Sequence, residues 1–221
     1  MPKLTINNLG PVSACEIEIK DFMVFTGPQA SGKSTIAKSI FFFNNLNNIL
    51  FSMYQKEMAA KSLFRNSDLE TAFSKEVQRL FLQSFGIGTD SKAYGSVCYD
   101  YDNGSSIIIT FEPRAEGTCI KVTFDEEMKR NLKVLEQKLF DTDVRKNTEE
   151  IRKFIYNDIF ALDTDVVYIP AGRSMLTVLS SQINYLYSVM DDHIRAMIPI
   201  CLSGCCSMQE IFMRDTSKRI H

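Results

Sequence analysis

FMVFTGPQASGKST, Phe22 to Thr35, is the stretch whose reading decides the fold. Gly27, Gly32, Lys33 and Ser34 satisfy the spacing G-x-x-x-x-G-K-[ST]. Each residue type answers a physical need. The glycines let the backbone turn tightly and aim its N–H groups inward, which makes an anion-binding nest at the start of a helix. Pro28, Gln29, Ala30 and Ser31 fill the variable positions of that loop. A lysine at the seventh position reaches the β- and γ-phosphates, the following serine hydroxyl coordinates Mg²⁺, and Thr35 extends the cradle near the α-phosphate. A chance match in a chain of 221 residues is on the order of one in a hundred from average residue usage. The pattern therefore predicts a site for a nucleoside triphosphate with Mg²⁺.

Context supports it. The run FMVF before the loop is short and continuously apolar, as expected of a strand buried on both faces. After it a helix is expected from Gly32, with Ile36, Ile40 and Phe43 on the buried side, weakened at NNLNN. Before it, KLTINNLG and ACEIEIK each alternate apolar and polar residues and read as strands around Gly10–Pro11.

Downstream, SDLE (Ser67–Glu70) reads as a capping box, followed by Leu69, Phe73, Val77 and Leu80 at helical spacing and by Gly86 as a stop. Val97, Tyr99 and Tyr101 fall on one face of a strand, and Ile107, Ile109 and Phe111 on its return. Asn103-Gly104 marks the hairpin between them. GTCIKVTF adds a third strand. Met128, Leu132, Leu135 and Leu139 then form a helical seam, and Ile151, Ile155 and Ile159 form a second beyond the polar DTD. An antiparallel helical hairpin and two surface helices packed on a sheet are both compatible with these seams. DVVYIPAGRS is a further buried strand, ended by Pro170, before another helix.

The composition is that of a globular protein, 45% apolar and 24% charged, with a net charge of -2. That charge gives no long-range attraction to nucleic acid or to anionic membranes. No basic stripe with interleaved aromatics stands out. The amino terminus lacks a signal-peptide core, and the longest apolar run, around IFFF, is too short to cross a bilayer. Six cysteines without an export signal read as reduced thiols, and the cytoplasm is the expected compartment.

The layout resembles the amino-terminal lobe of an ABC-type ATPase of the chromosome-maintenance, RecF and OLD (overcoming lysogenization defect) group. INNLGPV (Ile6–Val12), the phosphate loop and YIPAGRS (Tyr168–Ser174) carry the resemblance, which extends over about residues 1–195. It implies an α/β P-loop NTPase fold in one ATPase domain over 1–221. Within it lie a helical insertion at 44–90, an antiparallel β segment at 93–124 and a helical hairpin arm at 125–162. It further implies ATP and Mg²⁺ as cofactors, a homodimer or larger ATPase assembly, and action on DNA or in genome defence.

Three departures qualify the resemblance. Where a polar Q-loop residue is expected, the turn after VVYIP offers Arg173, with Gln182 beyond. Arg173 either faces the γ-phosphate, as a catalytic residue, or is an ordinary solvated or salt-bridged arginine. CLSGCCSMQE (Cys201–Glu210) starts like a signature loop and fails at Cys205. No Asp-Glu strand follows it; the one apolar run ending in Asp, IFALD (Ile159–Asp163), reads as a helix terminus. The resemblance therefore implies a head without its carboxy-terminal lobe. ATP hydrolysis and ATP binding without turnover both remain open. A zinc site from His193, Cys201, Cys205, Cys206 and His221 matches no standard spacing. Guanine-nucleotide switches and small-molecule kinases lack their base-reading and lid sequences here.

Overall fold

The computed structural model describes residues 1–20, 22–60, 68–86, 94–114, 117–140 and 148–162. The chain divides into two units, Met1–Leu82 with Ile87–Asp165, and Gln83–Gly86 with Val166–His221. Nearly all described residues belong to the first.

Five strands, β1 (Lys3–Leu9), β2 (Val12–Glu18), β3 (Gly95–Asp100), β4 (Ser106–Arg114) and β5 (Gly117–Phe124), form one sheet in the order β2-β1-β3-β4-β5. Every pairing is antiparallel. The alternation in the sequence sets the register. Ile17, Leu4, Tyr99, Ile107 and Phe124 line up across all five strands, as do Cys15, Ile6, Val97, Ile109 and Val122. The row between them, Glu16, Thr5, Cys98, Ile108 and Thr123, points the other way. A one-residue slip would expose Leu4, Ile6, Val97, Tyr99, Ile107 and Ile109, all fully buried. The Asn103-Gly104 hairpin lies where the sequence puts it, with Gly104 at φ 85°.

Helices α1 (Lys33–Asn44), α2 (Leu46–Ala60), α3 (Leu69–Phe85) and α4 (Glu126–Phe140) supply the second layer, with α5 (Thr148–Lys153) and a π-helical continuation, Phe154–Ile159. Rings join the layers. Phe43 stacks on Tyr99 at 5.2 Å, Phe73 on Phe124 at 5.5 Å, and Phe160 meets Tyr101 edge-on at 5.3 Å.

Several local expectations need correction. FMVF forms no strand among the described residues: residues 23–27 belong to none of their ladders, and Phe22 and Val24 are 83% and 68% exposed. An apolar run supplies side chains, whereas a strand also needs a neighbour for its N–H and C=O groups, and the antiparallel sheet does not include this segment. On α1 the buried side is Ser39, Phe42 and Phe43, with Ile36 and Ile40 half-buried. On α3 Phe81, not Leu80, takes the fourth buried position, against Phe42 and Phe111. Asp68 caps α3: its carboxylate accepts from Thr71 N at 3.0 Å, and hydrogen bonding from the Thr71 side chain first, then from its backbone, holds the pKa below the usual carboxylate range. Ser67 lies outside the described residues. Gly86 ends α3 at φ 58°, as its lack of a Cβ permits.

The two seams after Asp125 come together. Asn131 Nδ2 donates to Asp158 O at 3.3 Å, and Lys138 pairs with Glu150 at 3.7 Å, so α4 and the returning helix run antiparallel. Ile151, Ile155 and Ile159 are all fully buried. A strict spacing of four overshoots an α-turn of about 3.6 residues, and the wider turns of the π segment take up the surplus. Ile159 to Leu162 is a helix terminus, with Ala161 at φ 49°; Asp163 lies outside the described residues.

Cys98 lies on β3 between the sheet's neighbours. Burial first, then the adjacent Asp100 carboxylate, pushes its thiol up to about 12, and burial raises the Tyr99 and Tyr101 phenols as well. The folded state therefore holds these protons more tightly than the unfolded chain. The stability they contribute is complete below about pH 8.5 and is lost as pH rises toward 12. Melting temperature is expected to fall from pH 8.5 to 11, less steeply in Cys98→Ala.

Candidate functional site

The phosphate-loop motif occupies the connection between the exposed FMVF segment and α1. Three of its residues have positive φ: Gly27 at 144°, Ala30 at 62° and Gly32 at 87°. For the glycines this costs nothing. For Ala30 it is a strained left-handed position, tolerated because the side chain is a single methyl. The spacing pattern does not announce Ala30, since any residue fits there.

Gly32 is the N-cap of α1, and the first helical bond runs from Ile36 N to Gly32 O at 2.9 Å. No side chain caps the helix, and its first turn holds no acidic residue. The amides that open α1 thus lack an intrahelical acceptor and face no competing carboxylate from their own turn.

The Lys33 side chain folds back over the loop. Nζ donates to Gly27 O at 2.9 Å, to Pro28 O and to Ser31 Oγ at 3.1 Å. An ammonium has three protons, and the loop supplies three oxygens. Gly27 to Ser31 and Ser34 are exposed, so a ligand reaches them directly, while Lys33 and Thr35 are half-buried. Thr35 O is used inside the helix, accepting from Ser39 Oγ at 2.8 Å.

The residues suit a polyphosphate and a hard cation. The Ser34 hydroxyl is an oxygen ligand of the kind Mg²⁺ takes, in an open position that leaves the remaining ligands to phosphate and water. Among the described residues there is no cluster of three His, Cys, Asp or Glu able to hold a metal alone. Arg173, Gln182, the signature-like Cys201–Glu210 and the histidine–cysteine group lie outside the described residues. Cys15, Cys98 and Cys119 are free thiols. Among the described residues no helix is long and apolar enough to cross a membrane.

Sequence reasoning assigned no role to the turn between β1 and β2. A Cβ added to Gly32 would lie 2.5 Å from Val12 Cγ2, and one added to Gly10 would lie 4.0 Å from Thr35 Oγ1. The turn therefore abuts the loop. Gly10-Pro11 marked the turn in the sequence, but nothing there said which element it would touch.

No curated protein and no solved structure matches the chain. A family model does: the one described as AAA ATPase domain matches residues 1–169, which takes in the sheet, the phosphate loop and the helical pair. The chain belongs to the AAA ATPase domain family and is a P-loop NTPase with an ATP-binding site.

Proposed function

We propose that Gly27–Thr35 binds Mg-ATP and that the protein is an ABC-type ATPase of the chromosome-maintenance, RecF and OLD kind. The observation that carries the binding site is the Lys33 ammonium lying across its own loop at the uncapped start of α1. A triphosphate that enters offers charged oxygens in place of two carbonyls and a hydroxyl. The exchange is favourable because hydrogen bonds between ionised partners are about twice as strong as neutral ones. Loop amides then take the bridging and β-phosphate oxygens, and Lys33 neutralises charge on the β- and γ-phosphates. Mg²⁺, when bound at Ser34, adds charge neutralisation and orients the γ-phosphate. Turnover needs in addition a group that orients the attacking water; Arg173 is assigned to the γ-phosphate. Assembly as a homodimer or larger ATPase assembly, and action on DNA or in genome defence, are proposed from the resemblance, through INNLGPV and YIPAGRS.

Binding without turnover is the second reading. It is favoured by the one apolar run that leads into an aspartate, Ile159–Leu162 before Asp163, which ends a helix and not a strand. Two measurements separate the readings. Mg-ATP at about 100 times Kd is expected to stabilise the fold by ~2.7 kcal/mol under both. Phosphate release from the purified chain, abolished in Lys33→Ala, is expected under the first alone. A cooperative melt that ignores Mg-ATP would overturn both.

A further inference from the structure

The phosphate loop has one buried residue. Of Gly27–Ser34, only Gly32 is buried. Its cover is the corner Pro11–Val12. A Cβ at Gly32 would stand 2.5 Å from Val12 Cγ2 and 3.6 Å from Pro11 Cγ, so the Val12 methyl occupies the space a side chain would need. Val12 itself is 6% exposed. The corner is held from behind. Val12 pairs with Leu9 across the Gly10–Pro11 turn, Gly10 has φ of 55° and Asn8, near the end of β1, 54°, and Gly95 of β3 lies against the Asn7 and Asn8 carbonyls.

We propose that Val12 is a positioning residue for nucleotide binding. Its γ-methyl, wedged under the left-handed Gly32, fixes the peptide planes that open α1 and so the aim of their amides. A β-branched residue suits this, because its χ1 is stiff and the methyl stays where the backbone puts it. Alanine lacks the wedge, and leucine moves its methyls one carbon outward and adds a methylene. The inference rests on the Mg-ATP reading of the loop, so the wild-type protein is measured beside every variant.

The experiment compares Kd for Mg-ATP and for inorganic pyrophosphate in Val12→Ala, Val12→Leu, Val12→Ile and Val122→Ala. Val122, on β5, is 8% exposed and serves as a stability control. Val12→Ala and Val12→Leu are expected to weaken both ligands about tenfold, or ~1.4 kcal/mol. Val12→Ile and Val122→Ala are expected to stay within about twofold, even where Val122→Ala lowers the melting temperature. Pyrophosphate confines the readout to the phosphate cradle. Should Val12→Ala fail to melt cooperatively, Val12→Leu carries the test, since it leaves no cavity behind. Wild-type binding with Val12→Leu binding equally well overturns the role of Val12 alone. Absence of wild-type binding overturns the Mg-ATP reading, and this inference with it.

Discussion

Lys33→Ala is expected to weaken Mg-ATP about 100-fold while changing the melting temperature of the free protein by no more than about 4 °C. Nζ makes three contacts with loop oxygens, all at an exposed site. Solvent replaces such bonds at little cost, so the fold loses at most about 1 kcal/mol. The ligand has no such substitute. Removing the ammonium leaves phosphate charge without its nearest cation, and two charge-assisted bonds at about 1.5 kcal/mol each give ~3 kcal/mol. Calorimetric titration beside a thermal melt separates the two effects. Binding within about threefold of wild type would place the phosphates somewhere other than Gly27–Ser34.

Gly95→Ala is expected to cost about 3 kcal/mol of stability and to weaken Mg-ATP as well. A Cβ there would meet Asn7 O at 2.3 Å, Asn8 O at 2.8 Å and Phe111 Cζ at 2.5 Å. Two of these are backbone atoms of β1, which is paired on both sides, to β2 and to β3. Room is made only by moving β1, and the Gly10–Val12 corner follows it. In a chain of this size the loss corresponds to a melting temperature lowered by roughly 6–12 °C. If the melt moves as expected and Kd does not, the corner is independent of the strand that bears it.

What was legible in the sequence follows from how local its cause is. The hairpin at Asn103-Gly104 depends on residues that tolerate positive φ, and the sheet rows depend on alternation; both are written in neighbouring residues. The phosphate loop is equally local. The FMVF segment is the instructive failure, since a strand is defined by its neighbour and an apolar run does not say whether one is present. Phe81 in place of Leu80 is a matter of which ring reaches Phe111 across the sheet, and chain spacing does not measure that. The left-handed backbone of Ala30 and the contact made by Val12 were not legible for a related reason. One is a backbone conformation and the other a contact between segments far apart in sequence, and neither leaves a mark on residue type. Arg173 and the residues beyond it rest on the resemblance.

The far end of α1 is tied down. Tyr99 OH donates to Asn44 Oδ1 at 2.5 Å, Tyr101 OH donates to Phe43 O at 2.9 Å, and in the next helix Tyr156 OH donates to Asn48 Oδ1. Two of these anchors stand on β3 and its exit, the third on the π segment. A twelve-residue helix is about 18 Å long, so α1 is a short rod whose head carries Lys33 and whose tail, at Phe43 and Asn44, is bolted to Tyr99 of β3 and to Tyr101 just beyond it. The helix end opposite Lys33 is thus fastened to the middle strand of the sheet, so α1 keeps its tail in place whatever happens at the loop.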